Sequence, residues 1–359
     1  METTDRKILT STKDVLHLEK VYGERLPYYG EAHDHAATGG TSDGKRTLSH
    51  WAGAMEALGV DFASILDHRQ VRHMYLPEWQ EALFLCGSEP GTTIVDSPAE
   101  IKRMHYNLHV PNAAALEDLL EAFPEYEFTG GSEGHFKYPT FTVERFGELI
   151  DALKERGGFF VHPHPSHLMK SDDPLDYWFR DETGIEVFYE NMTNEWSAKN
   201  YAIWTGILAK GKRVWAIAGG DGHACCSDAA LTTVYAEEKT NAAILSHFRE
   251  GDFVCGPVGI RMCIGDTRMG GQCSFEGGRL ILCVGDFHRS VRFPEHTYRL
   301  DLLDDEGIVY SRTISCTEPS YLALKVEKRR FYRAEVWDET RGVRIAIGNP
   351  IWNTDATEE

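Results

Sequence analysis

The sequence predicts an α/β chain, a seven-stranded (β/α) barrel over residues 1–255 followed by a small antiparallel β-sandwich over 256–359. Three observations predict it. Seven short apolar runs recur between stretches of helical period. Each run stops at, or within a few residues of, a His, Asp or Glu. Beyond Pro257 the helical period fades into short runs rich in Val, Ile, Tyr and Leu, separated by Gly or charged turns. Imidazole nitrogen and carboxylate oxygen are what borderline divalent cations take, so a chain that repeatedly ends strands on them is building a site where strand ends converge.

The runs come in order. Tyr28 to Ala32 leads into His33-Asp34-His35, Phe62 to Leu66 into Asp67-His68, and Gly158 to Val161 into His162-Pro163-His164. Glu125 to Phe128 contains two of these residues, Gly134 to Phe136 and Gly184 to Val187 contain one each, and Val214 to Ala218 leads into Asp221-Gly222-His223. Between them, Thr47–Leu58 places Leu48, Trp51, Met55 and Leu58 at helical spacing, with Thr47 or Ser49 able to cap and Gly59 just past the end. Thr142–Arg156 repeats the device, closed by Gly157-Gly158, and Glu195–Lys210 and Asn241–Glu250 end at Gly211 and Gly251. In parallel barrels the chemistry sits on the loops after the strands, where the polar residues stand here. A polar insert from about 70 to 124 interrupts the beat and is expected to form a lid or wall. Its His105 and His109 read as exposed. In the C-terminal part, strands are expected at Leu280–Val284, Tyr298–Leu303, Ile308–Ser311, Tyr321–Val326, Tyr332–Trp337 and Val343–Ile347.

A net charge of -19 argues against a partner held by its phosphate backbone, which needs clustered Lys and Arg, so neither nucleic acid nor an anionic membrane is expected. If the substrate is an anion, local positive charge must come from bound cations and a few placed Arg or Lys. The first twenty residues lack the apolar stretch of a secretion signal and no window is long enough for a membrane helix, so a soluble, cytoplasmic protein is expected. Eight Cys without knuckle spacing read as free, mostly buried thiols.

His33 and His35, one residue apart on an extended chain, point the same way and can reach one cation, while Asp43 on the turn Ser42-Asp43-Gly44 can fold back as an oxygen donor. Together with Asp67-His68 at the next strand end, these motifs resemble the PHP (polymerase and histidinol phosphatase) metal-dependent hydrolases. The likeness continues through Tyr126 to Thr129, Gly134-His135, His162-Pro163 and Asp221-Gly222-His223, over roughly residues 28 to 255. Phe331 to Trp337 with Asn349-Pro350-Ile351 is similar to the β-sandwich appended in one branch of that family. The resemblance implies a distorted (β/α)7 TIM-like barrel holding two or three metals on His33, His35, Asp43, His68, Glu127, His135, His162, Asp221 and His223. Glu133 rivals Glu127, and His164 rivals His162, which is favoured because it sits at the strand end.

Nine donors are too many for one tetrahedral ion. Two cations sharing a bridging water would generate a hydroxide at neutral pH, with Glu127 and Asp221 as natural bridges and a third ion or His164 assisting the leaving group. Arg69, next to His68, could clamp a phosphate or carboxylate, with a surface ion pair as the plain alternative; Lys137 would share the face of His135. Glu186 reads as a residue that supports ligands rather than one of them. The expected function is a phosphoesterase acting on a small-molecule ester. A carboxyl or carbamate ester hydrolase on the same scaffold is the alternative, and a non-catalytic metal-binding protein working through its C-terminal domain the second. Zinc is the first choice of metal, with manganese or iron next. A homo-oligomer is left open.

Overall fold

The computed structural model describes residues 10–97, 99, 101–126, 138–224 and 226–356. It is a mixed α/β structure with several sheets, whose contacts divide the chain into two units. One unit comprises Tyr28–Thr232 with Lys239–Arg249; the other takes the chain up to Pro27, Thr233–Glu238, and Glu250 onward.

The first unit carries the candidate site. Strand β1 (Leu26–Asp34) pairs in parallel with β2 (Phe62–Ile65), and β2 with β3 (Phe84–Leu85). A second sheet runs β4 (Gly87–Ser88), β5 (Asn107–His109), β6 (Phe159–His162), β7 (Thr183–Tyr189) and β8 (Val214–Gly219). In it β6, β7 and β8 are parallel, and β5 alone is reversed, pairing antiparallel with both β4 and β6. The segment expected as an insert therefore supplies two strands of this sheet.

The helices stop where local chemistry says they should. Helix α1 (Leu48–Leu58) starts at Thr47, whose hydroxyl accepts the His50 N–H at 3.3 Å, and ends at Gly59 with φ 73°. Helix α2 (Val143–Glu155) is capped by Thr142 and closed at Gly157, φ 76°. Helix α3 (Glu195–Ala209) is capped by Asn194, and α4 covers Asn241–Glu250. The buried face of α1, Leu48, Trp51 and Met55, packs on Ala63, Ile65 and Phe84, and each such fully buried side chain contributes about 1.5–3 kcal/mol. The strands they back are thereby fixed, and the residues at the strand ends with them.

The second unit is dominated by antiparallel strands. Val258–Ile264, Arg279–Phe287 and Ser320–Lys325 form one sheet. Tyr298–Asp304 lies between Gly307–Ile314 and Phe331–Asp338 in another, which continues to Val343–Gly348. Every strand expected here from the sequence lies within one of these except that expected over Tyr321–Val326, which ends one residue earlier, at Lys325. The unit also includes the helix Thr12–Tyr22, whose Ser11 and Asp14 satisfy each other's backbone N–H groups in a capping box. Of the seven described cysteines, none in a disulfide, six are buried and Cys273 is intermediate. Among the described residues no helix is long and apolar enough to cross a membrane.

Candidate metal centre

Six residues expected as ligands come together: His33, His35, Asp43, His68, Asp221 and His223. His33 and His35, both fully buried at the end of β1, face one side, as alternation on an extended chain requires. Their Nε2 atoms lie 3.5 and 3.1 Å from Asp221 Oδ1. Asp221 reaches them because the chain turns through φ 48° there, in the left-handed region, directly after Gly219 and Gly220. A Cβ on Gly219 would collide with the Glu186 carboxylate, and one on Gly220 with that of Glu31. The Asp221 carboxylate is steadied by the Tyr189 hydroxyl, which donates to Oδ2 at 3.1 Å.

The central acid is one that the motif reading did not single out. Glu89, fully buried just after β4, has Oε1 at 3.0 Å from His105 Nδ1, 3.3 Å from His164 Nε2 and 3.5 Å from His33 Nε2. Its Oε2 lies 3.3 Å from His35 Nε2 and 3.0 Å from His68 Nδ1. Burial alone would push this carboxyl up, but His105, His33 and His68 hold it well below the usual carboxylate range. His105 is half-buried and His109 buried, where both were expected exposed; His109 packs between Phe159 and Phe248, away from the site.

The two histidines around Pro163 divide differently from the expectation. His162 is buried against Tyr177 and Phe179, its ring nitrogens meet no hydrogen-bond partner among the described residues, and burial, followed by His164, lowers its pKa to about 3. A turn through φ 28° puts His164 at the centre instead, on the same Glu89 oxygen as His105. Glu127, His135 and Lys137, and the rival Glu133, lie outside the described residues; Glu89 and His105 offer the carboxylate and imidazole expected of the first two.

Asp43 arrives on a loop pinned from the second strand end. Arg69 follows His68 with φ 53°, so Gln70 turns back and donates to Thr38 Oγ1 and the Gly39 carbonyl, both at 3.0 Å. Buried Asp67 accepts the Ala36 N–H at 2.8 Å and the Thr38 hydroxyl, and Thr41 donates to the His68 carbonyl. The loop delivers Asp43 Oδ1 to 3.1 Å from His223 Nε2 and 3.5 Å from His68 Nε2. The His68 imidazole, against the opposing effect of burial, is pushed up to about 11 by Glu89 and Asp43.

Second contacts set ring orientation. His33 Nδ1 lies 3.1 Å from Glu186 Oε1, and Glu186 Oε2 accepts the His164 N–H at 2.8 Å; His223 Nδ1 lies 2.7 Å from the Asp221 carbonyl. The two ring contacts leave the Nε2 atoms of His33 and His223 aimed inward, while the His164 contact is through its backbone N–H. The donors fall into three overlapping groups: His33, His35, Glu89 and Asp221; His68, Glu89 and His105; and His35, Asp43, His68 and His223. Within each group all ligand atoms lie within 4.8 Å of one another, which fits divalent cations. Arg69 places its guanidinium 4.7 Å over the Tyr138 ring, beside His105.

No protein-family model and no curated protein sequence matches the chain. Several solved structures are similar to it. One is a two-domain protein from Bacteroides vulgatus containing a predicted PHP-like metal-dependent phosphoesterase, with 11% identity over 98% of each chain and a TM-score of 0.43. An amidohydrolase from Chromobacterium violaceum, with bound sulfate and no metal, shares 15% identity over 54% of this chain and 87% of its own, TM-score 0.40. Endonuclease Q, in complex with a 27-mer duplex carrying an abasic lesion at the active site, shares 12% over 62% of this chain and 57% of its own, TM-score 0.44. The exclusion of nucleic acid drawn above is corrected by this last structure. A net charge of -19 sums side chains over the whole chain and leaves out cations held at a centre, so it does not exclude a phosphodiester polymer. The roles of individual residues rest on the geometry above.

Proposed function

We propose that the protein is a metal-dependent phosphoesterase using two or three divalent cations. The ligands in this reading are His33, His35, Asp43, His68, Glu89, His105, His164, Asp221 and His223. The observation that carries it is Glu89, a fully buried carboxylate whose two oxygens face five imidazoles and, among the described residues, no guanidinium or ammonium group. Such an acid is neutralised by cations that the same imidazoles help to hold. Six imidazoles and three carboxylates favour zinc first, then manganese or iron, over calcium or magnesium.

When bound, the cations lower the pKa of a coordinated water and neutralise charge on a phosphoryl group. The chain supplies the rest. Glu89 and Asp221 each offer two oxygens to neighbouring cations, Glu186 fixes the His33 ring and the His164 backbone, and Tyr189 holds Asp221 at its angle. Arg69 stands beside the centre as a fork for a phosphate oxygen. Supporting a distorted seven-stranded barrel, Glu89 N–H donates to the Leu66 carbonyl at 2.9 Å and His35 N–H to the Gly222 carbonyl at 2.8 Å, joining both edges of the second sheet to β1 and β2.

The test is metal analysis of the purified protein with hydrolysis of nitrophenyl phosphate, bis-nitrophenyl phosphate, nitrophenyl acetate and naphthyl carbamate. Phosphate or phosphodiester turnover that chelation abolishes is expected. Turnover of acetate or carbamate alone, or of nothing by fully metallated protein, would overturn the reading.

A further inference from the structure

A cavity of about 760 Å³ lies one side chain from the centre, lined by Ser166, Met169, Lys170, Tyr177, Trp196 and Lys199. Exposed His167 stands between the two, its ring 5.7 Å from that of His164 and 5.3 Å from that of Trp196. Its size falls in the range of small-molecule sites, roughly 300–1,000 Å³. The floor is apolar. Met169 and Tyr177 are buried, and the Tyr177 hydroxyl donates to the Met169 carbonyl at 2.8 Å, so it makes no polar demand on an occupant.

Two lysines stand at the rim. Lys170 forms no ion pair among the described residues. Lys199 sits 4.2 Å over the Trp196 ring and 3.2 Å from Glu195. Lys199 is thus shared with Glu195, and Lys170 is the ammonium group left to an occupant beside the one lining carboxylate, Asp172. An apolar floor with an ammonium group at its edge fits an organic body that carries its own negative charge.

We propose that this cavity receives the leaving group of the substrate, an alcohol or phenol with an apolar body and an anionic substituent. This rests on the phosphoesterase reading above. Water adds to phosphorus, the bond from phosphorus to the ester oxygen breaks, and that oxygen departs with a proton as the free alcohol. Its apolar body lies on Met169 and Tyr177 beside Trp196, and its anionic group meets Lys170.

The experiment compares phenyl phosphate with a sulfonated naphthyl phosphate, and titrates hydroxynaphthalene sulfonate calorimetrically into metallated and chelator-treated protein. The sulfonated ester is expected to have a KM about tenfold lower, a gap that Lys170→Glu closes, whereas cavity-filling Ala202→Trp is expected to raise KM for the sulfonated ester most and for phenyl phosphate less. Both positions are exposed, so each variant is expected to fold. Equal KM values that neither variant moves, or absent sulfonate binding, or sulfonate binding that survives both variants, would overturn the proposal. Sulfonate binding lost in the variants without turnover of either phosphate would sink the phosphoesterase reading while leaving an anionic aromatic site at the cavity.

Discussion

Buried acids are handled in opposite ways in the two units. In the unit of antiparallel sheets each one meets a guanidinium: Glu335 lies between Arg333 and Arg344, the latter at 2.7 Å, Asp338 lies 2.6 Å from Arg341, Asp304 3.0 Å from Arg329, and Asp252 2.5 Å from Arg268. In the other unit Glu89 meets imidazoles only, and buried Glu31 and Asp34 lean on each other, both held above the carboxylate range by burial and then, for Asp34, by the neighbouring acid. A guanidinium is permanently charged and closes the acid it pairs with, whereas an imidazole can release its proton and turn a lone pair to a cation. The first arrangement locks a structure, and the second keeps an acid exchangeable.

The largest effect should come from breaking that contrast at Glu89. In Glu89→Gln the side chain keeps its shape but loses its charge, so metal content is expected to fall by at least one ion per chain. Phosphate ester turnover should drop on the order of a thousandfold, about 4 kcal/mol at the transition state. Chelation should lower the melting temperature of the wild type by several degrees and that of the variant by less, because the variant has fewer bound ions to lose. A variant that keeps its metals and its rate would show that Glu89 is merely a buried acid among histidines.

The mirror experiment strips a partner from the guanidinium side. Glu335→Gln leaves Arg333 and Arg344 without their shared carboxylate in a buried setting, which is expected to cost about 3–5 kcal/mol. Urea unfolding measures it, and metal content should not change. Loss of metal in this variant would contradict the division of labour.

How far the sequence reached follows the same line. Thr47 with Gly59 and Thr142 with Gly157 mark helix ends through hydrogen bonds and φ values a few residues wide, and the helices stop there. His33, His35, His68, Asp221 and His223 end or follow apolar runs, which is why their convergence could be anticipated. Glu89 carries the same signal, the run Phe84 to Ser88 ending in an acid. It was obscured because β3 and β4 are two residues each, too short for alternation to register. His105 stands on another two-residue strand. For His162 and His164, strand alternation favours neither: the deciding fact is the turn after Pro163, a backbone angle no side-chain pattern announces.

A smaller effect is expected from the loop that carries Asp43. Gln70→Ala removes the donor that ties Thr38 and Gly39 to the second strand end. Affinity for one cation should weaken about 10–100-fold, as when a support of a ligand is removed, while the ions around Glu89 stay. Stepwise metal titration should then show one site displaced from the others. Uniform weakening of all sites would mean that Gln70 supports the fold and not Asp43.

The smallest effect belongs to the outer edge of the comparison, where a guanidinium meets an acid near solvent. Asp14 accepts from Arg279 at 2.7 and 2.8 Å, and Arg279, ahead of the opposing effect of burial and the further help of Ser11, holds its carboxyl well below the usual range. A depressed carboxylate stabilises the fold fully above its unfolded value of about 3.9, and that contribution fades as pH falls toward the folded value. Arg279 is 41% exposed, so solvent screens the pair and Asp14→Asn should lower stability by only about 0.5–1 kcal/mol at neutral pH. The gap between wild type and variant in urea unfolding should narrow below about pH 4 and shrink with added salt. A gap that ignores both would assign the loss to the helix cap at Ser11 and leave the ion pair without weight.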